Sequence, residues 1–296
     1  KQVSALITKG EPSSNTFKQR KHPKSDKAYR LFLLAQAHMK KAQVEDYEKA
    51  IIYYQQAIDI APDYALAYTG MASANVLLYQ YKHTSLEQTN ILASTLLAKA
   101  LEIEPNLAEA FAVKGLLNIY LQAYQQSEKD FLKAIDLNPG SRFARHNYGF
   151  LLWRQSRSRE ALEQFKIALE MDPLSPLTNF SVGDSLGNIG ETEQAIEHFK
   201  TCQELLPNYF GCHLGLASIY NLTGELAKQK DSLLLSEQLI QGNNFWQTTS
   251  QASYSFQVED YSRAKALVTK ASQQNNANYF NLKTDFHLNI QASTLN

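Results

Sequence analysis

Glycine and proline are scarce in this chain, 12 and 8 among 296 residues, and cysteine occurs only twice. An average sequence carries roughly 12% glycine plus proline, so the turn chemistry of a many-stranded sandwich or barrel is missing. Long helices are the reading that remains, and a hydrophobic content of 44% excludes a disordered chain. An excess of one charge is also missing, since 29 Lys and Arg stand against 29 Asp and Glu. Neutralised phosphates supply most of the affinity of duplex-binding proteins, so this balance argues against nucleic acid as a partner of the segment. No apolar run approaches the 18 or so residues of a membrane span, and the first residues lack the apolar core of a signal peptide. Two cysteines are too few for a disulfide framework or a four-thiolate metal site.

Catalytic constellations are missing as well. The histidines, among them His38, His146, His198 and His213, are scattered along the chain, with no two spaced four apart on one helix. The string Gly183-Asp184-Ser185-Leu186-Gly187 matches the nucleophile-elbow pattern. That motif needs a strand, a strained turn and then a helix, whereas Gly183 and Leu186 repeat Gly149 and Leu152 one period earlier, where helices pack. No glycine-rich phosphate loop occurs. The expectation is a binding scaffold and not an enzyme, with no catalytic residue, no metal ligand and no cofactor.

What the sequence does have is a period. Pro105, Pro139, Pro173 and Pro207 are each 34 residues apart, and Pro62 lies one period plus nine residues before Pro105. Counting back from Pro173, the unit carries Gly149, Ala161, Phe165 and Ala168; counting back from Pro207, Gly183, Ala195, Phe199 and Cys202 fall at the same offsets. A short polar break, Gln155 to Arg159, divides the unit, so each reads as two antiparallel helices joined by a tight turn. Small residues sit where backbones cross, an aromatic plugs the pair, and proline marks the start of the next helix.

These residues resemble the tetratricopeptide repeat, from about Tyr29 to Asn278. The resemblance implies an all-α, right-handed superhelical solenoid of about seven helix-turn-helix repeats. Residues 1–27 would be the end of an upstream domain and a linker, 28–278 the solenoid, and 279–296 a C-terminal capping helix. The first unit offers Ala37, Ala50, Tyr54, Ala57 and Pro62; the third offers Phe111, Gly115, Phe131, Ala134 and Pro139. Its departures are Lys114, Asn118 and Ser127, at positions usually apolar or Ala, which leaves open how tightly that helix pair closes. The extra nine residues fall near Tyr79 to Gln88 and are expected to lengthen both helices of the second unit. There Tyr79, Tyr81 and His83 form either a contact surface or part of the pair's own packing.

In such arrays the first helix of each unit faces a concave groove. The resemblance puts Leu116, Ile119, Tyr120, Phe143, His146, Phe150, Trp153, Arg154, Phe180 and Asp184 on that wall. The family's Lys and Asn clamp for a C-terminal carboxylate is absent, since Thr69 and Ser73, then Ala112 and Leu116, stand there instead. This aromatic band is either a groove for an extended or helical segment of a protein partner, or internal packing of a tightly wound superhelix. A homo-oligomer stands beside the first reading.

A finer likeness concerns Ala28-Tyr29 with Leu31-Phe32-Leu33, the run Glu102 to Ala110, and Tyr120 to Pro139. These phrases are similar to the C-terminal regions of CadC-like, membrane-tethered bacterial transcription regulators. That implies a sensory, non-catalytic domain on the periplasmic side of the inner membrane. The alternatives are the repeat region of a bacterial nucleotide cyclase, or a free-standing assembly scaffold, and the cytoplasm as compartment.

Cys202 and Cys212 are symmetric about Pro207, so a hairpin turning there brings them to one depth. Ala57 with Ala67, Ala100 with Ala110 and Ala134 with Ala144 are the equivalent pairs. Either the thiols replace alanine in a tight crossing, or they form a disulfide, which would fit an oxidising compartment.

Overall fold

The computed structural model describes residues 25–239 apart from positions 42, 81 and 82, together with Pro23 and a few isolated positions between 255 and 269. The linker before Pro23, Tyr81, most of the expected seventh repeat and the expected capping helix at 279–296 lie outside the described residues. Among the described residues there are twelve helices and no strand. They fall into two compact units that divide after Pro105.

The first unit holds α1 (Asp26–Met39), α2 (Val44–Ile60), α3 (Ala65–Gln80) and α4 (Leu86–Ile103). Ser25 caps α1 by accepting from the backbone N–H of Ala28, and Ser85 and Gln88 form a capping box on α4. The expected lengthening is present: α3 and α4 run for 16 and 18 residues. Tyr79 is buried there, whereas exposed His83 pairs with Glu48 at 2.9 Å. Phe32 and Tyr54 pack with Tyr64 and a row of alanines to form the core.

The second unit keeps a strict register. Its helices are α5 (Ala108–Tyr120), α6 (Tyr124–Leu137), α7 (Arg142–Arg154), α8 (Ser158–Met171), α9 (Pro176–Asn188), α10 (Thr192–Leu205), α11 (Phe210–Leu222) and α12 (Leu226–Leu239). Odd-numbered helices are the A-helices of the repeats and even-numbered ones the B-helices. Within this unit each A-helix packs on its own B-helix, each of α6, α8 and α10 packs on the A-helix that follows it, and successive A-helices touch, so α5, α7, α9 and α11 lie side by side.

The hairpins close through one recurring contact. Gly115, Gly149 and Gly183 sit on the A-helix against Phe131, Phe165 and Phe199 of the B-helix. A Cβ added at these glycines would come within 2.9, 2.7 and 3.1 Å of the facing ring. All three rings are fully buried. The turn between helices needs a left-handed residue at the same repeat position each time, and Gln122, Ser156, Gly190 and Gly224 supply it with φ of 59°, 62°, 88° and 76°.

The polar departures of the third repeat do not leave its helix pair loose. Ser127 Oγ donates to the Gly115 carbonyl at 2.8 Å, and Asn118 Nδ2 donates to Asp130 Oδ2 at 2.8 Å. Lys114 Nζ stands 3.6 Å from the buried Asp130 carboxylate and Gln126 donates to it at 3.1 Å, so the buried polar groups satisfy one another.

Candidate functional site

The A-helix face of the second unit gathers most of the aromatic residues expected on the groove wall. On α7, seven residues separate Phe143 from Phe150, two helical turns on one face, and Trp153 follows one turn later. The Phe150 and Trp153 rings stack at 6.0 Å with an interplanar angle of 14°. Trp153 Nε1 donates to Asp184 Oδ2 of α9, and the same oxygen accepts from Asn188 Nδ2 at 3.0 Å. The Arg154 guanidinium lies 5.9 Å from the Phe150 ring centroid and 5.9 Å from that of Tyr124, and donates to the Tyr124 hydroxyl at 3.2 Å. Tyr124, Arg154, Phe150, Trp153 and Asp184 thus form one ladder across three helices, with a cation towards one end and a carboxylate at the other.

A second cluster lies beyond it. Phe180 of α9 meets the buried Phe199 ring at 5.7 Å and the Tyr209 ring at 5.7 Å edge-on, and Tyr209 packs on Phe210 at 5.4 Å. Phe143, Phe150, Trp153, Phe180 and Asp184 are all half-buried, as a contact face requires.

Four expected wall residues behave otherwise. Leu116 and Tyr120 are buried, 3% and 7% exposed, and so is Ile119 at 0%. The cause is the composition of α5, where Ala108, Ala110, Ala112 and Gly115 let neighbouring backbones approach and enclose the larger side chains. His146 turns into the junction between repeats. Its ring packs on Phe165 at 5.3 Å, and Nδ1 lies 3.3 Å from Thr178 Oγ1 of α9. Burial, reinforced by the nearby Arg142 charge, pushes its pKa down to about 4. It is therefore a neutral packing residue at ordinary pH.

Tyr124, Tyr209 and Phe210 belong to the face but are absent from the expected set. Tyr209 occupies the repeat position held by buried Tyr64 in the first unit, just ahead of the A-helix, and that recurrence was the available signal. Ser185 is buried inside α9, which runs unbroken through 183–187, and its hydroxyl has no hydrogen-bond partner. Neither the strand nor the strained turn of an elbow is there. Among the described residues no group of three His, Cys, Asp or Glu side chains is arranged to hold a metal, and no helix is long and apolar enough to cross a membrane.

Cys202 of α10 and Cys212 of α11 are joined, with Cα atoms 5.9 Å apart and no exposed surface on either residue.

One tetratricopeptide-repeat family model matches residues 28–64 and again 108–141, and a second matches 149–210. Over these spans the chain matches tetratricopeptide repeats. Solved structures agree with this. Pseudomonas aeruginosa PilF is 22% identical with a TM-score of 0.56, over 77% of this chain and 97% of that one. PilW, described as a widely conserved type IV pilus biogenesis factor, is 18% identical at 0.56, over 75% and 97%. A tetratricopeptide-repeat protein from Parabacteroides merdae is 14% identical at 0.56, over 90% and 100%. At these identities the likeness shows the fold. No curated protein sequence matches the chain. The family-model matches and these likenesses together show the tetratricopeptide-repeat fold.

Proposed function

We propose that this array binds an apolar segment of a partner protein across α7, α9 and α11, with no chemistry of its own. The observation that carries this reading is the ladder from Tyr124 to Asp184. Its rings stand half-buried at positions where solubility alone would favour polar side chains, and each is held in place by a neighbour. Rigid aromatic anchors lose little rotamer freedom on binding, which is why such residues dominate interfaces. Few charges interrupt the band, so an apolar or amphipathic segment fits it better than a strongly charged one.

A photo-crosslinking phenylalanine analogue tests this directly. Placed at Phe150 it should trap one discrete partner, whereas the same analogue at Leu132, exposed on the B-helix α6, should not. Equal trapping at both sites would contradict the reading.

The wider setting we propose is the sensory end of a membrane-tethered bacterial transcription regulator, on the periplasmic side. Its support is the likeness of Ala28 to Leu33, Glu102 to Ala110 and Tyr120 to Pro139 to CadC-like regulators, together with a cysteine pair that an oxidising compartment would keep joined. Sequencing upstream of Lys1 in the gene decides it. A winged helix followed by an apolar stretch of about 20 residues is expected, and a cyclase core or a lipoprotein signal would contradict it.

A further inference from the structure

Where one repeat's B-helix crosses the next A-helix, the contact is made by two residues ten apart in sequence. Ala57 with Ala67 and Ala134 with Ala144 fill this crossing, and Ala168 and Thr178, at the same offset, are likewise without exposed surface. At the α10–α11 crossing the pair is Cys202 and Cys212, joined and equally enclosed.

On the reading of the A-helix face as a partner surface, we infer that this bridge regulates the face by size: reduction turns the crossing into a steric wedge. Bonded sulfurs lie about 2.05 Å apart, whereas unbonded heavy atoms of this kind settle at about 3.5–4 Å. Two thiols therefore demand roughly 1.5–2 Å more than the bridge, in a crossing that holds alanine on both sides at 57/67 and 134/144 and alanine opposite threonine at 168/178. Neither side chain has surface exposed to solvent.

The surroundings pass the displacement on. Gly215 of α11 lies so close to Phe199 that an added Cβ would come within 2.3 Å of the ring, and one added at Gly187 of α9 would come within 2.7 Å of Ile219 of α11. Phe199 also packs against Gly183 and Phe180 of α9. Tyr209, in the loop between the two cysteines, rests on Phe180 and folds back over Gly211. Pushing α11 away from α10 thus changes the contacts of Phe180 and Tyr209, the far end of the aromatic face. Packed interiors shift between discrete arrangements instead of stretching, so the change is expected to be cooperative.

The electrons come from a dithiol. Its two S–H groups give up two electrons and two protons and close to a disulfide, while the Cys202–Cys212 bond breaks and each sulfur takes one proton. Because both sulfurs are enclosed, the hairpin must open locally before the dithiol can attack.

Hydrogen exchange on the whole chain tests this, with and without prolonged dithiothreitol treatment, in the native sequence and in the Cys202→Ala/Cys212→Ala variant. Mass analysis verifies the gain of two hydrogens on reduction. Reduction should speed exchange in α9 and α11 by about tenfold or more while α7 and α8 keep their protection. The double-alanine variant restores the small pair of the other crossings, so it should match the oxidised chain and ignore dithiothreitol. The inference is overturned if reduced and oxidised chains exchange alike, if the alanine variant exchanges like the reduced chain, if loosening reaches α7 and α8 equally, or if both thiols are free before reduction. None of these readouts involves a partner, so they leave the crosslinking test of the face independent.

Discussion

The third and fourth repeats solve one packing problem with opposite chemistry. Both close on a glycine–phenylalanine contact, Gly115 with Phe131 and Gly149 with Phe165. Around it the third hairpin places Asn118, Ser127 and Asp130, where the fourth, one period on, places Leu152, Ala161 and Gln164. Leu152 and Ala161 are buried, 1% and 0% exposed, and act by excluding water. Asn118, Ser127 and Asp130 act by satisfying one another and the Gly115 carbonyl. The small-against-ring contact therefore sets the hairpin geometry, and the seam beside it accepts either an apolar filling or a fully paired polar one. A half-paired seam is what it cannot accept.

Breaking the pairing in the third repeat should have the largest effect. Asp130→Ala strands Asn118 and leaves Lys114 without its carboxylate, at an expected cost of about 3 kcal/mol. Urea unfolding should show it as a lower midpoint with an unchanged slope. By contrast, Asn118→Leu/Ser127→Ala/Asp130→Gln, which copies the fourth repeat, should fall within about 1 kcal/mol of the native chain. A triple variant as unstable as the single one would show that the two seams are not interchangeable.

Acid separates the two repeats next, because only the fourth carries a histidine, packed into the junction with the next repeat. Folded His146 stays neutral down to about pH 4, whereas the unfolded chain titrates near 6.5. Below 6.5 the unfolded state binds a proton that the folded state refuses, so stability should fall as pH drops from 6.5 towards 4. The loss is up to about 3 kcal/mol. His146→Gln should reduce the slope in that window, with His198, also lowered by burial, contributing to what remains. The carboxylates of Asp46, Glu160 and Glu225, held low by hydrogen bonds from His38, Arg157 and Lys228, act elsewhere. Their contributions are present above the unfolded carboxylate range and are lost only as pH falls through the lowered values.

The shared contact is itself testable. Gly149→Ala places a Cβ 2.7 Å from Phe165, and Gly115→Ala places one 2.9 Å from Phe131. Each should lower stability by about 1–3 kcal/mol, whatever the chemistry of its seam, in thermal unfolding followed by circular dichroism.

The repeat architecture was legible in the sequence because the glycine, phenylalanine and proline offsets recur unchanged, and those are the residues that fix helix crossings. Lys114, Asn118 and Ser127 were legible as departures. Their mutual satisfaction was not, because it links positions 12 residues apart on two helices, and a one-residue template treats each as a separate fault. The groove expectation followed repeat position alone, so it included Leu116 and Tyr120, which the small residues of α5 allow to be buried. It also passed over Tyr209, whose place on the face comes from the loop ahead of α11 and not from helical periodicity.

The smallest effect sets these two repeats against those that follow. Gln122 and Ser156 hold the left-handed turn position that Gly190 and Gly224 hold in the next two repeats. Gln122→Gly and Ser156→Gly should each stabilise the chain by about 0.5–1 kcal/mol, read as a small rise in urea midpoint.

The function proposed for the A-helix face is tested most directly by the variant Phe150→Ser/Phe180→Ser, with the partner trapped from position 150 of the native face as its binding probe. Circular dichroism should show helicity nearly unchanged while binding of that partner is lost. Loss of helicity alongside binding, or binding that survives both substitutions, would contradict the assignment of this aromatic face as the partner surface.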